Sequence, residues 1–254
     1  MLIVSNGAQK SGSTWLFNII RNMREFERVP EEFLLDPENP NSEIVYERLP
    51  EFLDAFDHGK HNFLLKNHFG KPDQRDALLG CKDALVVNIK RDLRDVTVSA
   101  YYYTMKLSGK KRSFENYYWT EGRYLAALVR SYHQNWEQRP SGRILSLSFE
   151  RLKEDPVSEI RAIGRFIGIT LSDTEIERIL EKTSMSNLRK TYKDDGEIKF
   201  FRKGETGDWK NHFKGTMLND ISRIMVGGLD GLNFSDWLYA RVLKELYGRF
   251  AVAR

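Results

Sequence analysis

The chain has 254 residues, of which 41% are hydrophobic, and its 40 lysines and arginines exceed its 36 aspartates and glutamates, giving a formal net charge of +4. This length suffices for one domain with a large core, although two smaller domains remain the alternative, and the mild basic excess favours a locally held anionic ligand over a nucleic-acid surface. The single cysteine, Cys81, excludes an internal disulfide and offers no metal cluster, and no apolar run approaches the ~20 residues that span a bilayer, so we expect a cytoplasmic protein without a metal.

The first candidate element is the short apolar run at residues 2–4, which has the composition of a buried strand. A glycine-rich loop follows, in which Gly7 and Gly12 allow the backbone to approach a ligand, and Ser13 and Thr14 are residues that often begin a helix. Apolar residues then recur at helical spacing at Leu16, Ile19, Ile20 and Met23. A strand, a glycine-rich loop and a helix N-terminus form an anion site, because backbone N–H groups and the helix dipole point at the ligand. An ordinary strand-to-helix turn is the alternative.

A lysine within this loop separates it from the phosphate loop of nucleoside-triphosphate-binding proteins, in which the lysine follows the second glycine. Here Ser13 occupies that position, and the lysine is Lys10. The resulting stretch K-S-G-S-T-W resembles the 5′-phosphosulfate-binding loop of sulfotransferases that use 3′-phosphoadenosine 5′-phosphosulfate (PAPS) as the donor. The resemblance implies that donor contacts come from Lys10, Ser11, Gly12, Ser13, Thr14 and Trp15.

The segment of residues 25–62 contains four prolines, many acidic residues and scattered aromatics. This composition predicts short helices and loops that cover an edge of the sheet, with a lid over the substrate as the alternative.

The second strand is predicted at residues 63–66, and Asn67 and His68 follow at its carboxyl end. Ligands of open α/β sheets bind at those ends, so His68 is expected on the same side as the Lys10 loop. The pattern K-x-H resembles the Lys-Thr-His element of sulfotransferases, with Asn67 in place of the threonine. The resemblance implies that His68 is the general base and that Lys66 neutralises the sulfuryl oxygens; a structural histidine is the alternative.

Residues 84–90 form the strongest strand candidate, and Asp92 is placed to cap a helix that carries Val96, Ser99 and Tyr103 on one side. The stretch 91–99 matches the pattern R-x-x-x-D-V-x-V-S of the sulfotransferase family. In that family the arginine and the serine hold the 3′-phosphate of the donor, which implies these roles for Arg91 and Ser99.

Aromatic and basic residues occur in short blocks over residues 101–119, without a helical or strand period. They indicate either an acceptor pocket with a mobile lid or core aromatics beside a solvated charged stretch, and the sequence does not separate these interpretations. Beyond them we predict a long helix ending near Trp136, a strand at 143–147, a helix from Pro156 and a helix capped by Ser172. The alternation predicts a single α/β domain over residues 1–254, with a mainly parallel central sheet flanked by helices and a P-loop-like phosphate-binding loop after the first strand.

The second half of the chain contains three further stretches that resemble sulfotransferase motifs. Residues 149–156 resemble Y-E-D-x-x-x-x-P with Phe149 in place of the tyrosine, residues 183–185 resemble T-S-F, and residues 202–211 match R-K-G-x-x-G-D-W-K-N almost fully. Donor contacts implied by these stretches come from Phe149, Thr183, Met185, Arg202, Lys203 and Gly204, and we expect further donor contacts from Phe200 and Phe201, which directly precede the last stretch. Asp208 and Trp209 are expected to anchor the loop, and the residues after it are expected to form packing helices.

The resemblance as a whole implies in-line sulfuryl transfer from PAPS to a hydroxyl or amine of a small-molecule acceptor, with 3′,5′-diphosphoadenosine (PAP) as the product and no metal. Lys10 would stabilise the charge that grows on the departing phosphate. A P-loop-type small-molecule kinase and a non-catalytic nucleotide-binding module are the alternatives. We expect no nucleic-acid partner and no membrane span; the acceptor and the oligomeric state stay open.

Overall fold

The computed structural model describes residues 1–39, 43–57, 59–109, 111–192, 202–232 and 236. Within it the chain groups into two compact units. The first, here called the sheet unit, comprises Met1–Lys90 and Asn135–Ser184, and the second, here called the helical unit, comprises Arg91–Gln134 and Met185–Arg254. Most of the C-terminal tail lies outside the described residues, including Trp237 and Leu246, for which packing helices were predicted.

Four parallel strands form the sheet, namely β1 Leu2–Gly7, β2 Phe63–Asn67, β3 Ala84–Lys90 and β4 Ile144–Ser148. Their order is β2-β1-β3-β4. The four predicted strands and the parallel sheet are therefore confirmed. The chain leaves β1 for β2 on one side and later returns past β1 to β3, so the direction of the connections reverses beside β1, where ligands of such sheets bind.

Eleven α-helices lie in the described residues. In chain order they are α1 Ser13–Arg21, α2 Leu49–Ala55, α3 Pro72–Gly80, α4 Leu93–Ser108, α5 Phe114–Tyr117, α6 Arg123–Glu137, α7 Phe149–Glu154, α8 Pro156–Phe166, α9 Asp173–Lys182, α10 Met185–Thr191 and α11 Thr216–Gly227. The expected caps are present, since Asp92 accepts a hydrogen bond from the Arg94 N–H and Ser172 forms a capping box with Glu175.

The core of the sheet unit lies where α1 and α8 pack against the sheet. Leu16, Ile19 and Ile20 of α1 are fully buried there, together with Ile160 and Ile163 of α8. The helix α1 begins at Ser13, as expected, and its N-cap is Gly12 in the left-handed conformation, without a side-chain cap hydrogen bond. The helix ends before Met23, which is nevertheless buried.

The described residues of the segment 25–62, which leave out 40–42 and 58, form short helices and loops at the edge strand β2, as predicted. They contain the 3₁₀ turns Glu31–Phe33 and Tyr46–Arg48, the helix α2 and a bridge between Leu34 and Ile44. Phe52 and Phe56 contact Phe63 of β2 with ring centroids 5.7 and 5.4 Å apart. Their burial against β2 covers an edge that would otherwise expose apolar surface.

The helical unit has a polar centre at the fully buried Asp220 of α11. Its carboxylate accepts hydrogen bonds from the Tyr118 hydroxyl at 2.8 Å and from the Arg123 guanidinium at 2.7 and 3.0 Å. Phe114, Tyr117 and Tyr118 are buried as well. For these three residues of the 101–119 stretch, the core interpretation holds.

Candidate functional site

The loop between β1 and α1 has the backbone of an anion cradle. Lys10 is the only non-glycine residue with a positive φ, 65°, among the described residues, and Gly12 follows with a φ of 95°. The Oγ atom of Ser11 is buried and has no hydrogen-bond partner within the described part of the chain. Because the first N–H groups of a helix lack intrahelical partners, α1 adds donors at the same place. The loop therefore fits an acceptor-rich group such as a phosphate.

Two aromatic side chains close one side of this loop. A Cβ atom on Gly12 would lie only 2.6 Å from Cδ2 of Phe149, so the loop passes directly over that ring. Trp15 meets Phe149 edge to face with centroids 5.6 Å apart. The structure thus brings together the loop and two of the predicted adenine-side residues.

A row of three asparagines crosses the sheet at the carboxyl ends of the strands. Asn6 of β1 is in register with Asn67 of β2 and with Asn88 of β3. The Asn6 amide donates to Asn88 Oδ1 at 3.0 Å, and its Oδ1 accepts from the Phe69 N–H at 2.9 Å. Since Phe69 directly follows His68, this row fixes the backbone that carries the histidine. Motif matching did not single out Asn6 or Asn88.

His68 is held in one tautomer by the last residue of β1. Its Nδ1 donates to the carbonyl oxygen of Gly7. Because that oxygen only accepts, Nδ1 carries the hydrogen, and in the neutral ring Nε2 presents a lone pair. Burial lowers the pKa of His68, the charges of Lys66 and Lys10 lower it as well, and Glu43 and the Gly7 carbonyl oppose this shift. A neutral ring with a free lone pair on Nε2 is the form that a general base requires.

A carboxylate that the sequence did not reveal lies beside the histidine. Oε1 of Glu43 is 3.3 Å from His68 Nε2 and 3.8 Å from Lys66 Nζ. The hydroxyl of Tyr46 donates to the other oxygen, Oε2, at 3.1 Å. Burial lowers the pKa of Lys66, while Glu43 opposes this effect. The predicted base, the predicted sulfuryl-binding lysine and Glu43 thus form one cluster in the sheet unit.

Asn67 determines where Glu43 lies. The fully buried Asn67 side chain accepts from the N–H of Ile44 and donates to its carbonyl oxygen, each at 3.2 Å. The amide makes the two bonds from separate atoms, Oδ1 and Nδ2, whereas the threonine found in the resembling family element would have to donate and accept through a single oxygen. The replacement of the family's threonine by Asn67 was therefore the sequence signal available for the position of Glu43.

The other predicted phosphate-binding residues lie in the helical unit, where α4 holds a loop. Asp95, buried in the first turn of α4, accepts from the N–H groups of Gly207 and Trp209 at 2.7 and 3.0 Å. The Arg94 guanidinium lies 3.6 Å from the centroid of the Trp209 ring. Arg91 donates to the Glu205 carbonyl at 2.8 Å. Arg91 is therefore brought next to the loop that carries Arg202 and Lys203.

Asp208 gathers the two cations of this loop. Arg202 forms an ion pair with Asp208, and Lys203 Nζ lies 3.0 Å from Asp208 Oδ1. These hydrogen bonds hold the pKa of Asp208 below its usual range against the opposing effect of burial. Arg202 also lies over the ring of Tyr102 at 4.2 Å. Asp208 thus anchors the loop as expected and aligns two positive charges.

The remaining residues that were predicted to contact PAPS have different surroundings. A Cβ on Gly204, whose φ is 65°, would lie 2.1 Å from Met185 Cε, so the thioether packs on this glycine. The Thr183 hydroxyl donates to the Ile179 carbonyl at 2.7 Å. Ser99 is partly buried on α4, and Phe200 and Phe201 lie outside the described residues.

Two further findings concern metals and membranes. No group of three or more His, Cys, Asp or Glu side chains with the geometry of a metal site occurs in the described ranges. Every helix within those ranges is too short or too polar to cross a lipid bilayer.

Comparison with known proteins adds a family. The family model described as "Sulfotransferase domain" matches residues 2–233, a range that includes parts of both units. The chain is 30% identical over 227 residues to sulfotransferase 1A1 of Rattus norvegicus, covering 80% of this chain and 76% of that protein. It is 29% identical over 255 residues to a protein of Flaveria bidentis named flavonol sulfotransferase-like, covering 88% and 80% respectively.

Solved structures give the same picture of the fold. Mouse sulfotransferase SULT7A1, crystallised with PAP, superimposes with a TM-score of 0.67, covering 96% of this chain and 88% of its own, at 19% sequence identity.

Proposed function

Because this chain belongs to the sulfotransferase family and is a PAPS-dependent enzyme, we propose that His68 is its general base and that Lys10 and Lys66 stabilise the transferred group. The observation that carries this proposal is the Nδ1 hydrogen bond from His68 to the Gly7 carbonyl, which leaves Nε2 as the basic nitrogen at the end of β2. The family model runs through parts of both units, which supports one sulfotransferase domain over residues 1–254.

The loop after β1 is assigned to the 5′-phosphosulfate end of PAPS. The unsatisfied hydroxyl of Ser11, the backbone of Gly12 and the first N–H groups of α1 at Ser13 and Thr14 would supply neutral donors. Lys10 supplies a positive charge from a left-handed backbone position, which is uncommon in a residue with a Cβ and which clusters at functional sites. Donors fixed before the reaction stabilise developing charge without reorganising during transfer.

The 3′-phosphate is assigned to Arg91, Ser99, Arg202, Lys203 and the backbone of Gly204. Two adjacent cations aligned by one carboxylate, with a positive-φ glycine beside them, suit a dianionic phosphate.

The adenine is assigned to an apolar and aromatic set of side chains. Trp15 and Phe149 already contact each other beside the loop, and Met185 packs on Gly204. The set also includes Thr183, whose hydroxyl is engaged by the Ile179 carbonyl, and Phe200 and Phe201. A phenyl ring at position 149 can stack on the base but offers no hydrogen bond to it.

Transfer is a single in-line displacement. Nε2 of His68 removes the proton of the acceptor while the acceptor oxygen or nitrogen attacks sulfur, and the sulfur–oxygen bond to the 5′-phosphate breaks with its electron pair on the phosphate. Lys66 faces the sulfuryl oxygens, and Lys10 meets the charge on the departing phosphate. PAP and the sulfated acceptor are the products.

The acceptor is a small molecule with a hydroxyl or amine. The proposed compartment is the cytoplasm, whose reducing conditions suit a chain with a single, unpaired cysteine at Cys81.

The test is replacement of the base. In His68→Ala we expect the rate of sulfuryl transfer from labelled PAPS to fall by roughly 10²- to 10⁴-fold, because a positioned base contributes about that factor. PAP affinity should be nearly unchanged, since His68 is not assigned to the nucleotide. His61→Ala is the matched control, because His61 lies at the opposite end of β2 and pairs with Glu27.

Near-normal turnover of His68→Ala would remove His68 from the mechanism. Phosphate transfer from ATP that depends on Mg²⁺ would instead favour the kinase alternative.

A further inference from the structure

The contact between Glu43 and His68 depends on where the proton of this pair lies. The two nearest atoms are Oε1 of the carboxylate and Nε2 of the imidazole, 3.3 Å apart, and both side chains are largely buried with 19% and 15% of their surface exposed. His68 Nδ1 already donates to the Gly7 carbonyl, so the neutral ring has a lone pair on Nε2. An ionised carboxylate also offers only lone pairs. The contact is favourable only when one proton lies between the two atoms.

Glu43 is fixed in this contact from three sides. The hydroxyl of Tyr46 donates to Oε2, and burial, with the nearby Glu43 as a second cause, raises the pKa of Tyr46 above its ordinary value, so the phenol stays protonated. Lys66 is 3.8 Å from Oε1. The next residue, Ile44, has its N–H and carbonyl both bonded to the Asn67 amide.

We propose that Glu43 is the proton partner of His68, a positioning residue that faces Nε2 before the acceptor binds and receives the acceptor's proton from Nε2 after transfer. This inference rests on the proposed role of His68 as the general base.

The steps balance in atoms and charge. When the acceptor binds, its hydroxyl takes the place of Glu43 at Nε2, and the proton that lay between Oε1 and Nε2 leaves from the carboxyl group to water. The acceptor's O–H bond then breaks and its proton binds Nε2, while the new O–S bond forms and the S–O bond to the 5′-phosphate breaks with its electron pair on PAP. After the product leaves, the imidazolium gives the Nε2 proton to Oε1 of Glu43, which restores the neutral base with one proton between the two atoms. No reactant beyond PAPS and the acceptor is needed.

The charged groups that face His68 set the expected dependence on pH. They are Glu43, Lys66 and Lys10; the carboxylate raises the pKa of His68 and the two lysines lower it. Removing the carboxylate therefore lowers the pKa of His68 further. Because a general base acts when deprotonated, the acid limb of kcat/KM should move to lower pH in Glu43→Gln and Glu43→Ala.

The experiment combines these variants with rescue by a small carboxylate. We expect Glu43→Ala to lower kcat at pH 7 by about tenfold or more, a part of the roughly 10²- to 10⁴-fold that the base supplies. Added formate should restore much of this loss, because it fits the space left by the side chain and accepts a proton. Formamide, which has the same shape and no basic oxygen, should not restore it.

Two control variants separate this role from a structural one. Glu43→Gln keeps the shape of the side chain but cannot take a proton, so it should be slow and insensitive to formate. Glu47→Ala removes an exposed acid from the nearby 3₁₀ turn Tyr46–Arg48 and should retain the kcat and pH profile of the wild type. PAP affinity measured for every variant reports whether the fold is intact; if Glu43→Ala fails to fold, Glu43→Gln carries the test through its lower kcat and its acid limb at lower pH.

The outcomes distinguish the role of Glu43 from the proposed function of His68. An inactive His68→Ala together with a Glu43→Ala that has the wild-type pH profile and no response to formate overturns the role of Glu43 alone. An active His68→Ala overturns the proposed function itself. Formate rescue of Glu43→Ala, but not of His68→Ala, supports both.

Discussion

At the scale of single residues, Lys10 combines a positive charge with an unfavourable backbone conformation. Its φ of 65° is a conformation that residues with a Cβ rarely adopt, whereas Gly12, two residues later, has a positive φ at less cost. The backbone thus places the lysine within the phosphate loop, which suits the proposed role of meeting charge at the transition state.

We expect Lys10→Met to lower kcat much more than it lowers PAP affinity, because the charge that Lys10 stabilises on the leaving phosphate develops during transfer. Rates of sulfuryl transfer and PAP binding by calorimetry measure the two effects separately. Lys182→Met, an exposed lysine at the end of α9, is the control. Equal losses of rate and affinity would make Lys10 an ordinary binding residue.

At the scale of elements, the start of α1 depends on the absence of a side chain at its N-cap, Gly12. Helices usually begin with a side chain that caps a backbone N–H, whereas α1 begins with a left-handed glycine and no side-chain cap. The space that a cap would fill belongs to Phe149, the first residue of α7. No side-chain cap therefore satisfies the first N–H groups of the helix, which is consistent with the proposed phosphate site.

Gly12→Ala should therefore destabilise the protein by on the order of 1–3 kcal/mol, from the positive φ and from a Cβ placed 2.6 Å from the Phe149 ring. Urea unfolding measures the change in the free energy of unfolding. Gly142→Ala is the matched control, because its φ is not positive and no atom lies within 4 Å of the added Cβ.

Replacing the ring as well tests the cause. In the double variant Gly12→Ala/Phe149→Leu, the loss should be smaller than the sum of the two single losses, since the collision is removed and only the strain of φ remains. Additive losses would show that Phe149 is not what forbids a side chain at position 12.

At the scale of the whole molecule, the net charge of +4 is too small to bind anions through overall electrostatic attraction alone. Selection for PAP has to come from local clusters, and Arg91, Arg202 and Lys203 lie in one such cluster of the helical unit. This proposal is testable on the intact chain, because AMP, ADP and PAP differ in their phosphates while sharing the adenine.

We expect PAP to bind at least roughly a hundredfold more tightly than AMP or ADP, since hydrogen bonds between charged groups contribute on the order of 1.5–3 kcal/mol each. Arg202→Ala should reduce this preference and leave the weak binding of AMP nearly unchanged. Calorimetry of the three nucleotides, with and without Mg²⁺, provides the measurement, and Arg165→Ala on α8 is the control. Comparable affinities for the three nucleotides would contradict the assignment of the 3′-phosphate.

The sequence by itself determined the features that depend on neighbouring residues. The four strands were visible as short apolar runs, and α8 and α9 were visible from Pro156 and the Ser172 capping box. The order of the donor motifs, from the loop at Lys10 to residues 202–211, was sufficient to indicate the family that the family model confirms. Strand composition, helical spacing and sequence motifs depend on residues that are close together in the chain, so they can be identified without knowledge of the fold.

Only the tertiary structure decided which distant side chains meet. Glu43 lies in a stretch without a helical or strand period, and it reaches His68 because Asn67 binds Ile44, 23 residues away in the chain. The row of Asn6, Asn67 and Asn88 likewise exists only through strand register. A carboxylate leaves no signature of its future partner in its own sequence neighbourhood, because the partner is fixed by strand pairing and backbone hydrogen bonds that form only when the sheet assembles.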